Sequence, residues 1–290
     1  MAISPVSTVG FGQVACVDID FQSVISRAEL TTFLATTKEI CGKMHRVTVF
    51  PFRSDDGPAL GDDFVLRGES FQYFLDVKKG NARVYMKVPA ESWQVTNPLR
   101  QLFSWLLDME GGVLLHAAAI RTTGLRTALI AGPSGSGKSS IAAAAWQRGL
   151  TVFGDDWVPL FGPTFCWVSS LYTSLKLAPD VATALKLKVP TGLVTDKGKL
   201  VYHIGEGSPL TGEVRAIFVP KIVEEGIGVR PIDKFEAFRL IAPSTLLQSQ
   251  GISTNVLGRI RALCETMPCY ELSTSLEMLS AVPSLIAGLT

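Results

Sequence analysis

The sequence predicts an α/β fold: a core built on a strand, a glycine loop and a helix and rich in short strands, preceded by a smaller, mostly-β N-terminal region. Three observations predict it. An apolar, strand-like run, Arg126–Ala131, leads into Gly132–Ser139 (G-P-S-G-S-G-K-S), and a helix-forming run with four consecutive alanines, Ser139–Gln147, leads out. Short apolar runs bounded by Gly, Pro and Asp recur beyond Pro159. Helical periodicity over Leu99–Met109 separates these from an earlier stretch of strand and turn signals, which divides the chain into a 1–96 accessory region and a 97–290 core.

At 290 residues the chain suffices for one large domain or two smaller ones. A net charge of +1 gives no reason to expect a nucleic-acid partner. The five cysteines, at 16, 41, 166, 264 and 269, form no C-x-x-C pair, which fits reduced thiols in a cytoplasmic protein. The N-terminus has no basic stretch followed by a long apolar one, so no signal peptide is expected. No uninterrupted apolar run reaches membrane-spanning length, so no membrane partner is expected either.

In order, the N-terminal region offers strands at Phe11–Ile19 and Arg46–Phe50, with a helix at Ala28–Ile40 between them. Arg53–Asp63 is a Gly/Pro/Asp loop, either solvated or cation-binding. Phe71–Val77 and Ala82–Val88 read as a hairpin about the turn at Lys78–Asn81. No catalytic set stands out here, which suits a substrate-gripping or oligomer-forming module.

Asn97-Pro98 marks a helix start with Asn97 as the cap, and Glu110-Gly111-Gly112 stops that helix. Val113–Ile120 reads as one buried strand with His116 near its centre, paired with Arg126–Ala131 across a turn. After the loop helix, Leu150–Phe153 is a strand ending at Gly154-Asp155-Asp156-Trp157. Further strands are expected at Phe165–Val168, Leu175–Leu177, Leu200–Ile204, Val214–Pro220, Val229–Ile232 and Cys269–Ser273. Helices are expected at Leu246–Gln250, capped by Pro243-Ser244-Thr245, at Thr254–Cys264 and at Ser275–Ile286. Arg259 and Arg261 either approach phosphates or lie on an exposed helix face.

Gly132–Ser139 matches G-x-x-x-x-G-K-S in full, in the strand–loop–helix setting that motif requires. A polyphosphate needs several donors aimed inward at once. Glycines at 132, 135 and 137 free the backbone to wrap around it. A helix beginning near Lys138 adds unpaired N–H groups and its positive end. Lys138 brings a cation to the β/γ-phosphates and Ser139 a hydroxyl to Mg²⁺. Gly132, Pro133, Ser134, Gly135, Ser136, Gly137, Lys138, Ser139 and Ser140 are therefore the expected cradle of a P-loop nucleotide-binding core using ATP and Mg²⁺. The alternative is a plain Gly/Ser turn before a helix. Asp155 and Asp156 close the next strand, where a metal ion or an attacking hydroxyl would lie, one acid for each task. The alternative there is a solvated turn. His116 is either a functional group one strand away from the nucleotide or a buried structural histidine.

Taken together, His116, the loop Gly132–Ser139, a helix ending in Arg148-Gly149 and the pair Asp155-Asp156 resemble the catalytic domain of HPr kinase/phosphorylase and its relatives. Those relatives include small-molecule serine kinases and kinases of lasso-peptide precursors, and the nucleotide fold is similar to that of phosphoenolpyruvate carboxykinase. The resemblance is strong over about 113–160, extends to Leu257–Leu272 and is weak over 1–95. It implies transfer of the γ-phosphate of Mg-ATP to a hydroxyl, with serine the expected acceptor, of a peptide, protein or small molecule. It implies Asp155 as the base, Asp156 with Ser139 at the metal, Lys138 on the phosphates and His116 near the transferring phosphate. It also implies a homo-oligomer. Lys176 stands where the bifunctional enzymes carry a metal-ligating glutamate, which argues against phosphorylase activity and against HPr as substrate. The competing readings are a nucleotide-binding regulator that transfers nothing, motivated by Lys176, and an ATP-driven enzyme of another class such as a ligase or carboxykinase.

Overall fold

The computed structural model describes residues 6–11, 15–21, 34, 43–51, 64–67, 69, 71–76, 81–86, 90, 92–205, 211–248 and 255–290. Their strands form a mixed α/β architecture of three sheets, with a small N-terminal β region. The helix expected at Ala28–Ile40 and the acidic loop at Arg53–Asp63 fall almost wholly outside the described residues.

The N-terminal sheet holds β1 (Val6–Phe11), β2 (Ala15–Phe21), β3 (Lys43–Pro51), β4 (Phe64–Arg67), β5 (Phe71–Asp76) and β6 (Asn81–Met86), in the order β1-β2-β3-β6-β5-β4. Of the strand expected at Phe11–Ile19, residues 15–19 lie in β2, whereas Phe11 ends the separate strand β1 and pairs with Ala15; 12–14 lie outside the described residues. Two valines, Val9 and Val17, oppose each other there and are both buried, so two strands close that apolar face where one was expected. The hairpin of β5 and β6 forms as the turn chemistry implies, with Ala82, Val84 and Met86 alternating inward.

Two helices follow, α1 (Ser92–Thr96) and α2 (Arg100–Met109). The cap of α2 is Leu99, in the left-handed region at φ 56, and not Asn97, whose side chain turns to Lys176 instead. The apolar stripe of α2 (Leu102, Phe103, Leu106 and Leu107) shares one cluster with Val47, Val49, Tyr73 and Val84 of the first sheet and with Trp157 and Tyr172 from the core. Each such side chain, fully buried, stabilises by about 1.5–3 kcal/mol.

The large sheet runs β10 (Val152–Gly154), β8 (Ala117–Thr123), β9 (Arg126–Ala131), β15 (Thr211–Ile222), β12 (Trp167–Ser169), β11 (Val158–Phe161), β7 (Val113–Leu115). Parallel to β15 lies β17 (Cys269–Thr274), flanked in turn by β16 (Ile227–Pro231). Strands β8 and β9 pair antiparallel across their turn, Ala117 opposite Ala131. The single strand expected over Val113–Ile120 is broken at His116: β7 pairs with β11, and β8 pairs with β9 and β10. Helix α3 (Lys138–Gln147) packs on one face, where Ala142–Ala145 have no bulk beyond Cβ and join Ala128, Ile130, Ala216 and Phe218. A third, two-stranded sheet pairs β13 (Ser174–Leu177) with β14 (Leu200–His203), and α4 (Pro179–Ala184) follows β13.

The opposite face is covered by α5 (Lys234–Leu246) and α6 (Asn255–Thr266). Where a helix is expected at Leu246–Gln250 with Pro243-Ser244-Thr245 as its cap, the helix begins at Lys234, with Asp233 as its cap, runs through Pro243 and ends at Leu246; 249–250 lie outside the described residues. A proline inside a helix removes one backbone bond and crowds the carbonyl four residues back, and this helix ends at Leu246, within a turn of Pro243. The final helix is shorter than expected: Leu279–Ala281 forms a single 3-10 turn before α7 (Val282–Ala287). Among the described residues no helix is long and apolar enough to cross a membrane.

Candidate active site

Strand β9 ends at Ala131 and the chain turns through 132–137 into α3. Gly135 and Gly137 adopt left-handed φ values of 80 and 105, and Gly137 caps the helix. A Cβ on Gly137 would lie 2.8 Å from Cδ1 of Ile222. Lys138 is buried, and its Nζ donates to the carbonyls of Gly132 and Pro133, each at 2.9 Å. Burial pulls its pKa down and Lys199 adds to that, while Asp156 and Asp155 pull it back up.

Strand β10 ends in a three-residue turn: Trp157 N–H donates to Asp155 O at 3.0 Å, with Asp156 between them at φ 71. This positive-φ form of the turn is rare and strained for a residue with a side chain. It sends two neighbouring carboxylates into different surroundings. Asp155 is wholly buried. Its Oδ2 accepts from Lys176 N–H at 3.2 Å, and its Oδ1 has no partner among the described residues. Burial pushes its carboxyl up to about 6 and the Asp156 charge adds, while Lys176 and the nearby Ser139 hydroxyl oppose.

Asp156 faces the open side, with its side chain 24% exposed. Burial works against its charge, but the Lys176 ammonium, paired with Oδ2, and His116 hold its carboxyl well below the usual range. Lys176 Nζ also donates to Asn97 Oδ1, while Asn97 Nδ2 is buried without a partner among the described residues.

His116 sits at the break between β7 and β8, where its N–H donates to Thr245 Oγ1 at 3.0 Å. Gln248 Nε2 donates to its Nδ1 at 3.0 Å, so the neutral ring carries its proton on Nε2, 3.7 Å from Asp156 Oδ1. Burial lowers the His116 pKa; Asp156 offsets part of this, and Lys138 and Lys176 lower it further. The ring lies 5.1 Å from that of Trp157, and the Arg100 guanidinium stands 5.0 Å from the same indole.

The loop opens onto a cleft of about 440 Å³ lined by His116, Ser134, Gly135, Gly137, Lys138, Ser139, Ser140 and Asp156, together with Lys176, Asp180, Lys199, Ile222 and Ser275. Gly132, Pro133, Ser136 and Asp155 do not line it. A second cleft of about 390 Å³ meets the first at His116, Ser134, Asp156, Lys176 and Lys199 and extends to Ser92, Trp93, Arg100, Lys197 and Gln248. Both volumes suit small-molecule binding. Neither arginine of α6 reaches this place: Arg259 is bound to Asp108 and the Gly112 carbonyl, and Arg261 pairs with Glu265 on the surface.

Asn97, Trp157, Lys199 and Gln248 belong to this site but carry no motif. Asn97 reads first as a helix cap, and only the position of Trp157 directly after the acid pair signals it. No protein-family model matches the chain, and no curated protein matches it. Among solved structures, it is similar to the HPr(Ser) kinase/phosphatase from Coxiella burnetii, at 14% identity and a TM-score of 0.29, over 61% of this chain and 92% of that one. The functional reading therefore rests on the geometry of the site itself.

Proposed function

We propose that this chain is a Mg²⁺- and ATP-dependent phosphotransferase with a P-loop core of the HPr kinase type, moving the γ-phosphate to a hydroxyl, serine in particular, of a peptide, protein or small molecule. The observation that carries this is the pair of clefts meeting at Asp156, one bordered by the lysine-bearing glycine loop. The first has room for a nucleotide at the loop and the start of α3, where a helix end favours phosphate. The second has room for an acceptor beside it. Ser92 and Trp93 bring the 1–96 region to that acceptor side.

In this reading Lys138 leaves its two backbone carbonyls for the β/γ-phosphate oxygens. The acceptor oxygen attacks phosphorus and its proton passes to a carboxylate. The bond from phosphorus to the β-phosphate oxygen breaks and ADP leaves. The transition state is loose, so a weak base suffices. The resemblance puts the base at Asp155 and the metal at Asp156. Exposure favours the reverse, because Asp155 has no open surface and Asp156 faces both clefts. Asp155 Oδ1, a buried acceptor near Ser139 with no hydrogen bond within 3.5 Å among the described residues, fits a hard cation such as Mg²⁺. Among the described residues no group of three or more His, Cys, Asp or Glu could hold a metal, so phosphate oxygens and water would complete its shell. When bound, the ion neutralises charge on the phosphates. His116, neutral with its proton on Nε2, offers the phosphoryl group a hydrogen bond rather than a charge.

Incubation with labelled ATP and a panel of serine-bearing peptides and hydroxyl compounds tests the reading. Label should move to an acceptor and be lost with Asp156→Asn. Tight nucleotide binding with no labelled product from any acceptor favours the regulator instead.

A further inference from the structure

Two adjacent carboxylates beside a polyphosphate repel it unless positive charge lies between, and divalent ions usually supply that charge. Here one of the two carboxylates already has a cation. The Lys176 ammonium pairs with Asp156 Oδ2 and donates to Asn97 Oδ1. The lysine is held at both ends. Its backbone lies in β13 opposite Val201, its N–H donates to Asp155 Oδ2 at 3.2 Å, and its side chain is 12% exposed. It lines both clefts, so its charge stands where they meet. An ammonium is a compact point charge with three donors. Two are engaged, which leaves one for a phosphoryl oxygen.

Asp155 is the complement of this arrangement. Its Oδ2 is occupied by the Lys176 amide, and its Oδ1 is buried with no hydrogen bond within 3.5 Å among the described residues, although the Ser139 hydroxyl is near enough to favour the carboxylate. A divalent ion at Asp156 would meet the ammonium head-on, whereas one at Asp155 would meet a buried oxygen with no hydrogen bond within 3.5 Å among the described residues.

We propose that Lys176 is a built-in counter-cation for Asp156, taking the place of a second divalent ion, so that the nucleotide-loaded site holds one divalent cation, at Ser139 and Asp155. This rests on the nucleotide reading above.

The test counts ions and nucleotide separately. The full chain is loaded with a non-hydrolysable ATP analogue and titrated with Mn²⁺ under electron paramagnetic resonance, while a fluorescent analogue reports nucleotide affinity. The expected result is one Mn²⁺ per loaded chain. Asp155→Asn should weaken Mn²⁺ roughly tenfold or more, with nucleotide still bound. Lys176→Gln should free Asp156 and raise the count to two, and Lys176→Arg should keep it at one. Two ions on the wild-type chain, or one on a folded Lys176→Gln chain, overturns the inference. Should Lys176→Gln fail to fold, the aspartates decide: Mn²⁺ lost with Asp156→Asn and kept with Asp155→Asn also overturns it. Nucleotide bound with two ions defeats this inference alone, and no nucleotide binding at all defeats the reading beneath it as well.

Discussion

Asp155 and Asp156 adjoin in the chain and part in environment: the first is wholly buried, and the second is 24% exposed beside Lys176. The positive φ of Asp156 makes the difference, because it swings the second carboxylate out of the turn while the first stays under β13. Strain of this kind persists only where surrounding contacts over-determine it. Here Trp157 N–H, Lys176 and the His116–Trp157 contact do so.

Asp155→Asn should stabilise the protein at neutral pH and above while lowering phosphotransfer. The folded-state pKa, about 6, lies above the ordinary aspartate value of 3.8. A raised carboxyl favours the protonated fold, so its contribution is intact below about pH 4 and is lost as pH rises through about 6. Above that range the buried charge costs about 3 kcal/mol. Asparagine keeps the shape without the charge. At about pH 8 the variant should melt roughly 5 °C higher, and at about pH 4 the two should coincide. Melting curves across pH check this, and equal Tm at pH 8 would contradict it.

Gly137→Ala should cost about 1–2 kcal/mol of stability through its left-handed backbone, and it should weaken nucleotide binding by disturbing the loop. Two causes are separable. The new methyl meets Ile222 Cδ1 at 2.8 Å, but Ile222 is 55% exposed and its tip can move. The φ of 105 has no such relief. Ile222→Ala in the same chain should therefore recover little. Full recovery in urea melts and nucleotide titrations would mean that the contact, and not the backbone, was at fault.

Local signals made part of this structure legible. The glycine loop, its helix and the pairing of β8 with β9 follow from residue types within a few positions of one another. The break at His116 was hidden, since a continuous apolar run reports burial and not a change of partner strand from β11 to β9. The helix at Lys234–Leu246 was hidden by reading Pro243 as a start, although Asp233 with Glu236 three residues later was a usable start signal. Gln248 reaches His116 across 132 positions of sequence, a contact that no local pattern encodes. Which acid of the pair faces outward depends on one backbone dihedral, and Asp-Asp in the sequence is symmetric in that respect.

Arg259→Met should lower stability without touching nucleotide affinity. The guanidinium ties α6 to the end of α2 through the Asp108 carboxylate, the Asp108 carbonyl and the Gly112 carbonyl. Its side chain is 13% exposed and that of Asp108 20%, so the cost is that of a mostly buried pair lessened by water, about 1–3 kcal/mol. A phosphate-contacting arginine would behave the other way, with affinity lost and stability kept. Chemical denaturation and nucleotide titration on one preparation separate the two.

Trp93→Leu should raise the KM for the acceptor and leave nucleotide Kd unchanged. Trp93 lines the second cleft and not the first. Its ring meets Phe71 edge-on, with centroids 5.5 Å apart, so the first sheet props the indole at the edge of that cleft. Leucine keeps the apolar contact with the sheet and withdraws the indole face from the cleft. Loss of one aromatic contact to a small ligand, about 1.4 kcal/mol, corresponds to a roughly tenfold weaker acceptor. Because the two clefts share only His116, Ser134, Asp156, Lys176 and Lys199 among the described residues, a change at Trp93 should reach one and not the other. Steady-state kinetics with each substrate varied in turn resolve it. A rise in nucleotide Kd with acceptor KM unmoved would assign the second cleft to the nucleotide and require the acceptor to enter elsewhere.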